Sequence, residues 1–247
     1  MKKILLSILA IALMTTACNK KEKEICFSIL GDSFTSYAGT VDPNTNHIWE
    51  PFVDIGVTSP DMMWFNQIAL NTGWTLEKNN SFSGSHITNN HDYTDGDYYK
   101  TVSYLNRMDN LGTPDVIFVF GGTNDIYHRV PVGDYVYSDW SEEQLCYLRP
   151  AMAYMYQNMK RQYPKAKIYF MLDMELCISD QTIDDEFRQA YIESIHKISR
   201  HYNIECIDIY GIKKSQWHPN AKGQDTIAQQ VMETLMIDFD IDNANGL

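Results

Sequence analysis

The sequence is short of positive charge. Its 247 residues include 20 Lys and Arg against 32 Asp and Glu, which gives a formal net charge of −12. Such a chain repels phosphate backbones, and it carries no nucleic-acid motif, so a nucleic-acid partner is not expected. Internal repeats and low-complexity tracts are also absent. With 44% apolar and 21% charged residues, the chain suits one large α/β domain or at most two small ones.

Cysteine is sparse, and its spacing is irregular. The five cysteines form no CxxC pair, so no metal site is expected. The sequence leaves open how Cys26, Cys146, Cys177 and Cys206 pair, although Cys26 and Cys206 lie in apolar runs typical of buried thiols. The histidines are not spaced as metal ligands either. Four fall in predicted loops that can line a pocket (His47, His86, His91, His128), and two fall in a predicted helix with a structural role (His196, His201).

The N-terminal apolar stretch is too short to span a membrane. Residues 4–14 are apolar and follow a basic start, whereas a spanning helix needs about 20 residues. Small residues then precede Cys18, a layout that resembles a bacterial lipoprotein signal. We therefore expect residues 1–17 to be a signal peptide, and residues 18–24 to be a lipidated Cys18 and its tether. Residues 25–247 would then form the folded domain, anchored in the bacterial envelope and facing the periplasm or the cell surface. The alternative is an ordinary cleaved signal with Cys18 as a bystander.

Apolar runs alternate with helical patterns along the rest of the chain. Strands are predicted at residues 25–30, 75–82, 115–120, 167–172 and 204–210. Helices are predicted at residues 60–71, 98–110, 142–163, 184–201 and 221–237, with Ser59 and Ser141 as caps of the first and third. This alternation predicts an α/β fold in which helices cover both faces of a parallel sheet of about five strands. The active site of such a sheet lies beyond the carboxyl ends of the strands.

The residues at those carboxyl ends suit acyl transfer. Ser33 follows the first strand in GDS, Gly84 follows the second in SGS, and Asn124 follows the third in GGTND. His218 stands in WHPN before the last helix. A serine is a weak nucleophile until a base such as histidine takes its proton. The backbone N–H groups of Ser33 and Gly84 and the amide of Asn124 are suitable donors to an oxyanion.

The ordered set GDS, SG, GGTND and HPNAKG resembles the SGNH or GDSL hydrolases from about residue 25 to residue 237. The resemblance implies a three-layer, flavodoxin-like α/β/α sandwich that hydrolyses esters or thioesters without a metal or organic cofactor. It implies that Ser33 is the nucleophile and His218 the base. It also implies an oxyanion hole of Ser33, Gly84 and Asn124.

One position departs from the family pattern. The family usually has Asp three residues before the histidine, where it orients the ring, and here that residue is Ser215. A backbone carbonyl can orient the base instead, giving a Ser-His dyad. Another carboxylate can substitute, with Asp173, Glu175 and Asp208 as candidates. The third possibility is a slow or inactive enzyme, because loss of the acid can cost about 10⁴ in rate.

Two aromatic-rich loops either form a substrate pocket, which would suit a carbohydrate ester, or cover the hydrophobic core. They span residues 35–58 and 126–140, each at a strand end where pockets form. The stretches IWEPF and YSDW are similar to exported members from carbohydrate-degrading bacteria. Candidate substrate contacts are Asp32, Trp49, His86, Asp125, Tyr127 and Trp217, although Asp32 is expected first as a turn cap. An O-acetyl carbohydrate esterase is therefore the first hypothesis; the alternatives are a lipid or aryl-ester hydrolase and an inactive glycan-binding lipoprotein.

Overall fold

Five parallel strands form the centre of the protein. The computed structural model describes residues 24–51, 54–90, 101–177, 180 and 182–245, with side chains up to residue 236. The strands are β1 (Cys26–Gly31), β2 (Thr75–Ser81), β3 (Val116–Phe120), β4 (Lys167–Asp173) and β5 (Glu205–Ile209). Their order in the sheet is β2-β1-β3-β4-β5. The predicted fold class is confirmed, and each strand lies within two residues of its predicted bounds.

Alternate residues of each strand pack into different layers. On β3, Ile117 and Val119 face one hydrophobic cluster, while Val116, Phe118 and Phe120 face the other. All five of these side chains are buried. Successive strand residues point to opposite faces, so a continuous apolar run fills the core on both sides of the sheet.

Six helices flank the sheet among the described residues. One layer contains α2 (Tyr104–Arg107), α4 (Leu148–Gln162) and α5 (Asp185–His201). The other contains α1 (Trp64–Thr72) and α6 (Ala221–Asn245). The short α3 (Thr123–Tyr127) follows β3 directly and was not predicted. No helix of the described chain is long and apolar enough to cross a membrane.

The helix predicted at residues 142–163 begins six residues late. The Ser141 and Gln144 side chains do exchange capping hydrogen bonds with each other's backbone N–H, at 3.2 and 2.9 Å. They cap only a 3-10 turn at Gln144–Cys146, and α4 starts at Leu148. The reason is Pro150, which has no N–H and fits only the first turn of a helix.

Two other helix predictions need correction. Ser59 makes no capping bond; a 3-10 turn at Pro60–Met62 precedes α1 instead. Within the helix predicted at residues 98–110, residues 101–102 are helical, Ser103 interrupts the helix with extended backbone, and α2 follows and ends at Arg107. Residues 98–100 of that prediction lie outside the described chain, as do His91, Cys18, the signal and most of the tether.

The strand order reverses between the neighbouring strands β1 and β3. From β1 the sheet extends to β2 on one side and to β3, β4 and β5 on the other. The carboxyl ends of β1 and β3 carry Ser33 and Asn124. A small antiparallel hairpin, β6 (Lys214–Ser215) and β7 (His218–Pro219), brings His218 to the same edge. The fold therefore collects the predicted catalytic residues at the switch point of the strand order.

Candidate active site

Ser33 lies at the start of a tight turn that follows β1. The Asp32 carboxylate accepts a hydrogen bond from the N–H of Phe34 at 2.9 Å, which caps a 3-10 turn at Ser33–Thr35. The Thr35 hydroxyl donates to the carbonyl of Asp32 at 3.0 Å. These bonds fix the backbone on both sides of Ser33, whose side chain lines a cavity of about 650 Å³.

His218 contacts Ser33 directly. The Ser33 hydroxyl and His218 Nε2 are 2.9 Å apart, and His218 Nδ1 lies 2.9 Å from the carbonyl oxygen of Gln216. A carbonyl only accepts, so Nδ1 carries the hydrogen and Nε2 is left as the acceptor for the serine proton. This is the tautomer that a general base requires.

The hairpin turn that carries His218 is locally unfavourable. Gln216 and Trp217 form its two-residue loop with φ values of 48° and 70°. A hairpin of this kind prefers Asn-Gly, because other residues resist the left-handed conformation. The start of α6, directly after the hairpin, holds the turn in place. Asn220 caps this helix by accepting from the N–H of Gly223 at 3.1 Å. A Cβ at Gly223 would lie 2.2 Å from the carbonyl oxygen of Lys213, so only glycine lets α6 approach the hairpin this closely.

Aromatic rings cover the imidazole of His218. The Trp49 ring stacks on it with centroids 4.0 Å apart and an interplanar angle of 19°. The Phe34 ring meets it edge-on at 5.6 Å. This burial lowers the pKa of His218, and the nearby positive charge of Lys214 lowers it further. The base is therefore neutral at pH 7 and ready to accept a proton.

None of the three candidate orienting acids bonds to His218 in the described structure. Asp173 is buried and forms an ion pair with Lys214. Glu175 accepts from the N–H of Gly211 at 3.3 Å. Asp208 lies 2.7 Å from His196 Nε2. Of the three alternatives, the substitute carboxylate thus has no support from these residues, and the Gln216 carbonyl is the group that bonds to Nδ1.

The three candidate oxyanion donors gather near Ser33. Asn124 lines the cavity, and its Nδ2 donates to the carbonyl of Ser85 at 3.0 Å and to Asp32 at 3.2 Å. Gly84 directly precedes Ser85 and has a φ of 81°. A Cβ there would meet nothing within 4 Å, so the left-handed backbone is what requires glycine.

Two carboxyl groups behind the site are buried. Burial raises the pKa of Asp32 to about 7. Asp125 is fully buried and accepts from the N–H groups of Ile87 and Thr88 at 2.8 and 3.1 Å. It thereby secures the loop that carries Gly84.

Three of the six candidate substrate contacts line the cavity, and three do not. Trp49, Tyr127 and Trp217 are in its wall. Asp32, His86 and Asp125 are buried beneath it, so their prediction as contacts is wrong. The sequence did not predict several residues that line the cavity. Phe34, Thr123 and Gln216 lie in or next to the motifs named above and could have been found from them. Cys177, Ile212 and Lys214 carry no such signal.

One side-chain group among the described residues has the composition of a metal site. His196, Cys206 and Asp208 bring ligand atoms within 4.8 Å of one another, away from the cavity. Burial raises the pKa of the Cys206 thiol, which disfavours the thiolate that a metal needs. Cys26, Cys146, Cys177 and Cys206 are all free thiols.

Comparison with known proteins gives related hydrolases. The family described as GDSL-like lipase/acylhydrolase matches residues 25–235. A protein named as a GDSL-like lipase from Bacteroides ovatus is 38% identical with a TM-score of 0.76, covering 87% of this chain and 99% of its own. One from Bacteroides uniformis is 35% identical with a TM-score of 0.76, covering 87% and 97%. An acetyl xylan esterase from Butyrivibrio proteoclasticus shares the fold at 15% identity and a TM-score of 0.55, covering 87% and 64%. No curated protein matches.

Proposed function

This chain belongs to the GDSL-like lipase/acylhydrolase family and is an ester hydrolase, and we propose that it removes O-acetyl groups from carbohydrates with a Ser33–His218 dyad. The observation that carries the proposal is the 2.9 Å contact between the Ser33 hydroxyl and His218 Nε2. A nucleophile and base in hydrogen-bond contact, with the base oriented by a third group, are the signature of covalent catalysis.

The reaction has two halves. In the first, His218 Nε2 takes the proton as Ser33 Oγ bonds to the ester carbonyl carbon, and the carbonyl π electrons move to oxygen. When that intermediate collapses, the bond to the alcohol oxygen breaks and His218 returns the proton to the leaving alcohol. In the second half, water attacks the acyl-serine with the same proton transfers and releases the acid and free Ser33.

The oxyanion is held by the N–H groups of Ser33 and Gly84 and by the Asn124 amide. Both hydrogens of Asn124 Nδ2 have acceptors in the free protein, at Ser85 and Asp32. The longer bond, 3.2 Å to Asp32, is the one we expect the oxyanion to replace. A neutral Asp32 favours this exchange, because its negative charge would oppose the oxyanion.

The polar part of the cavity wall supports a carbohydrate, while its apolar part (Phe34, Cys177, Ile212) suits the acyl group. The wall combines aromatic rings with charged and amide side chains: Trp49, Tyr127 and Trp217 with Glu175, Lys214 and Gln216. Aromatic faces suit the C–H surfaces of sugar rings, and the polar groups suit hydroxyls. An apolar slot would suit a long acyl chain better.

The test is ester hydrolysis by wild type, Ser33→Ala and Ser199→Ala, a buried serine of α5 used as the control. We expect turnover of p-nitrophenyl acetate by wild type and the control, and a loss of at least about 10³-fold in Ser33→Ala. Acetylated xylo-oligosaccharides should be better substrates than p-nitrophenyl octanoate. Equal turnover by Ser33→Ala would remove Ser33 as nucleophile, and a preference for octanoate would favour a lipid substrate.

We further propose that the protein is exported and anchored through Cys18. The support is the sequence pattern: a basic start, the apolar residues 4–14 and small residues before Cys18. Labelled palmitate should enter the full-length protein but not the Cys18→Ala variant. Incorporation that is unchanged by this substitution would reject the lipid anchor.

A further inference from the structure

The His218 ring is held on one face by an indole. Trp49 stacks on it at 4.0 Å and 19°, a closer and more parallel contact than the edge-on ring of Phe34. Both nitrogens of the imidazole are already engaged, Nε2 by Ser33 and Nδ1 by the carbonyl of Gln216. The face of the ring is therefore where a further interaction acts on the base.

The position of Trp49 is fixed by the turn that follows the nucleophile. The backbone N–H of Trp49 donates to the Ser36 hydroxyl at 2.9 Å, and the backbone N–H of Glu50 donates to the Ser36 carbonyl at 3.2 Å. The N–H of Ala38 donates back to the Glu50 carbonyl at 2.8 Å. Ser36 is buried and lies three residues after Ser33. One backbone framework thus places both the nucleophile and the indole.

Among the described residues, no carboxylate bonds to the base as a charged partner for its protonated state. A carbonyl oxygen at Nδ1 supplies a dipole but no charge, and the positive charge of Lys214 opposes imidazolium formation. An aromatic face attracts a cation within about 6 Å of its centre, and Trp is the strongest of the aromatic side chains in this respect. Burial by the two rings lowers the pKa of His218, but the π face of the indole offsets part of that cost, which an aliphatic cover would not do.

We propose that Trp49 is the positioning residue of the base: its indole keeps the His218 ring in line with Ser33 and stabilises the imidazolium that forms during proton transfer. It thereby takes over part of the task that Asp performs in a Ser-His-Asp triad. This inference rests on the proposed function of Ser33 and His218. It differs from the predicted role of Trp49 as a substrate contact, because its target is the base.

The kinetic test compares Trp49→Leu with Trp49→Phe. Leu keeps an apolar cover without a π face, whereas Phe keeps the face. With p-nitrophenyl acetate we expect Trp49→Leu to lower kcat about 3- to 30-fold with little change in KM, and Trp49→Phe to recover most of the loss. Trp140→Leu is the control: the Trp140 ring packs edge-on against Tyr154 at 5.5 Å and does not line the cavity, so kcat and KM should stay at their wild-type values. A rise in KM alone in Trp49→Leu would make Trp49 a substrate contact and overturn the proposal.

A second measurement does not depend on turnover. An NMR titration of the His218 ring should give a lower pKa in Trp49→Leu than in Trp49→Phe, because only the π face stabilises the charged ring. Equal pKa values in the two variants would overturn the proposal even if the enzyme is active. Loss of the proposed function would show separately, as wild type that neither turns over esters nor reacts with a fluorophosphonate at Ser33.

Discussion

His196 and His218 meet opposite kinds of partner in one protein. On the outer edge of the sheet, His196 Nε2 lies 2.7 Å from the Asp208 carboxylate. At the active site, His218 has a backbone carbonyl and an indole instead. Within the described part of the chain, the histidine beside the nucleophile has no carboxylate bonded to it, whereas the histidine that bonds to a carboxylate lies away from Ser33.

This contrast shows what the carboxylate is needed for. A His–Asp contact by itself is a structural hydrogen bond between partly exposed side chains, as His196 and Asp208 are. A catalytic base needs the correct tautomer, a fixed ring and some stabilisation of its charge. The carbonyl of Gln216 sets the tautomer of His218, and the rings of Trp49 and Phe34 fix the position of its imidazole.

The largest expected difference between the two histidines is in activity. We expect His218→Ala to lower kcat at least about 10³-fold, because no described side chain stands ready to take the serine proton. His196→Ala should keep the wild-type kcat and lower the free energy of unfolding by about 1 kcal/mol or less, as the loss of a partly exposed polar contact does. Ester turnover and thermal melts of both variants check this. Strong fluorophosphonate labelling of His218→Ala would show that another base serves.

The pH profile should report the covered histidine. Because burial lowers the pKa of His218 below its usual 6.5, kcat/KM should show no loss from this group until the pH is below about 6.5. It should then fall about tenfold per pH unit once the pH is below that pKa, as the base becomes protonated. An acid limb with its midpoint above 6.5 would contradict the burial of the ring. Asp32→Asn should leave this limb in place, since the limb belongs to His218.

Ser215→Asp gives His218 the kind of partner that His196 has. Ser215 pairs with His218 across the hairpin, and side chains of such pairs come within about 5.5 Å. We expect the carboxylate to raise the pKa of His218 by about one unit and to change kcat less than tenfold. An NMR titration and the acid limb of kcat/KM measure this shift. An unchanged pKa would mean that the Gln216 carbonyl keeps its place.

The smallest effect concerns a second pair of acids, Glu50 and Asp208. Glu50 is buried, neither carboxyl oxygen has a partner among the described residues, and burial raises its pKa to about 8. The folded state therefore holds a proton that the unfolded chain loses near pH 4.5, so stability falls as pH rises from about 4.5 to 8.

Glu50→Gln should remove this fall. Its Tm should match wild type at pH 4.5 and exceed it by several degrees at pH 8.5, since each kcal/mol is worth about 2–4 °C in a chain of this size. Asp208→Asn, which breaks a partnered acid, should lower Tm slightly at both pH values. A Glu50→Gln variant without a gain at pH 8.5 would contradict the unpartnered burial of Glu50.

The sheet was predictable because its strands are simple. Runs such as VIFVF at residues 116–120 are apolar on both faces, which only a covered parallel strand explains. The strand ends then marked Ser33 and Asn124, and the WHPN motif marked His218. The structure brings these residues to one edge, although their catalytic roles stay a prediction until Ser33 and His218 are tested.

The partners of the polar residues were not predictable. Asp173 is the last residue of β4, where a residue at the rim of the site is expected, yet it forms an ion pair with Lys214 from a hairpin that has no Asn-Gly signal. Asp125 stands in the GGTND motif, yet its side chain turns inward to the N–H groups of Ile87 and Thr88. The position of a carboxylate in the sequence predicts the region of the fold where it lies. It does not predict which group forms a hydrogen bond or an ion pair with it. Tertiary contacts decide that.

The turn at Gln216 and Trp217 has a consequence for how the enzyme can diversify. Both residues have the left-handed backbone conformation, which is unfavourable for their residue types, and their side chains line the cavity. Changes there towards Asn or Gly would relax the turn and open the wall of the cavity at once, while the chemistry of Ser33 and His218 stays fixed by other contacts. Substrate range and local stability are thus linked through two adjacent residues, which makes this turn the natural place to redirect the enzyme.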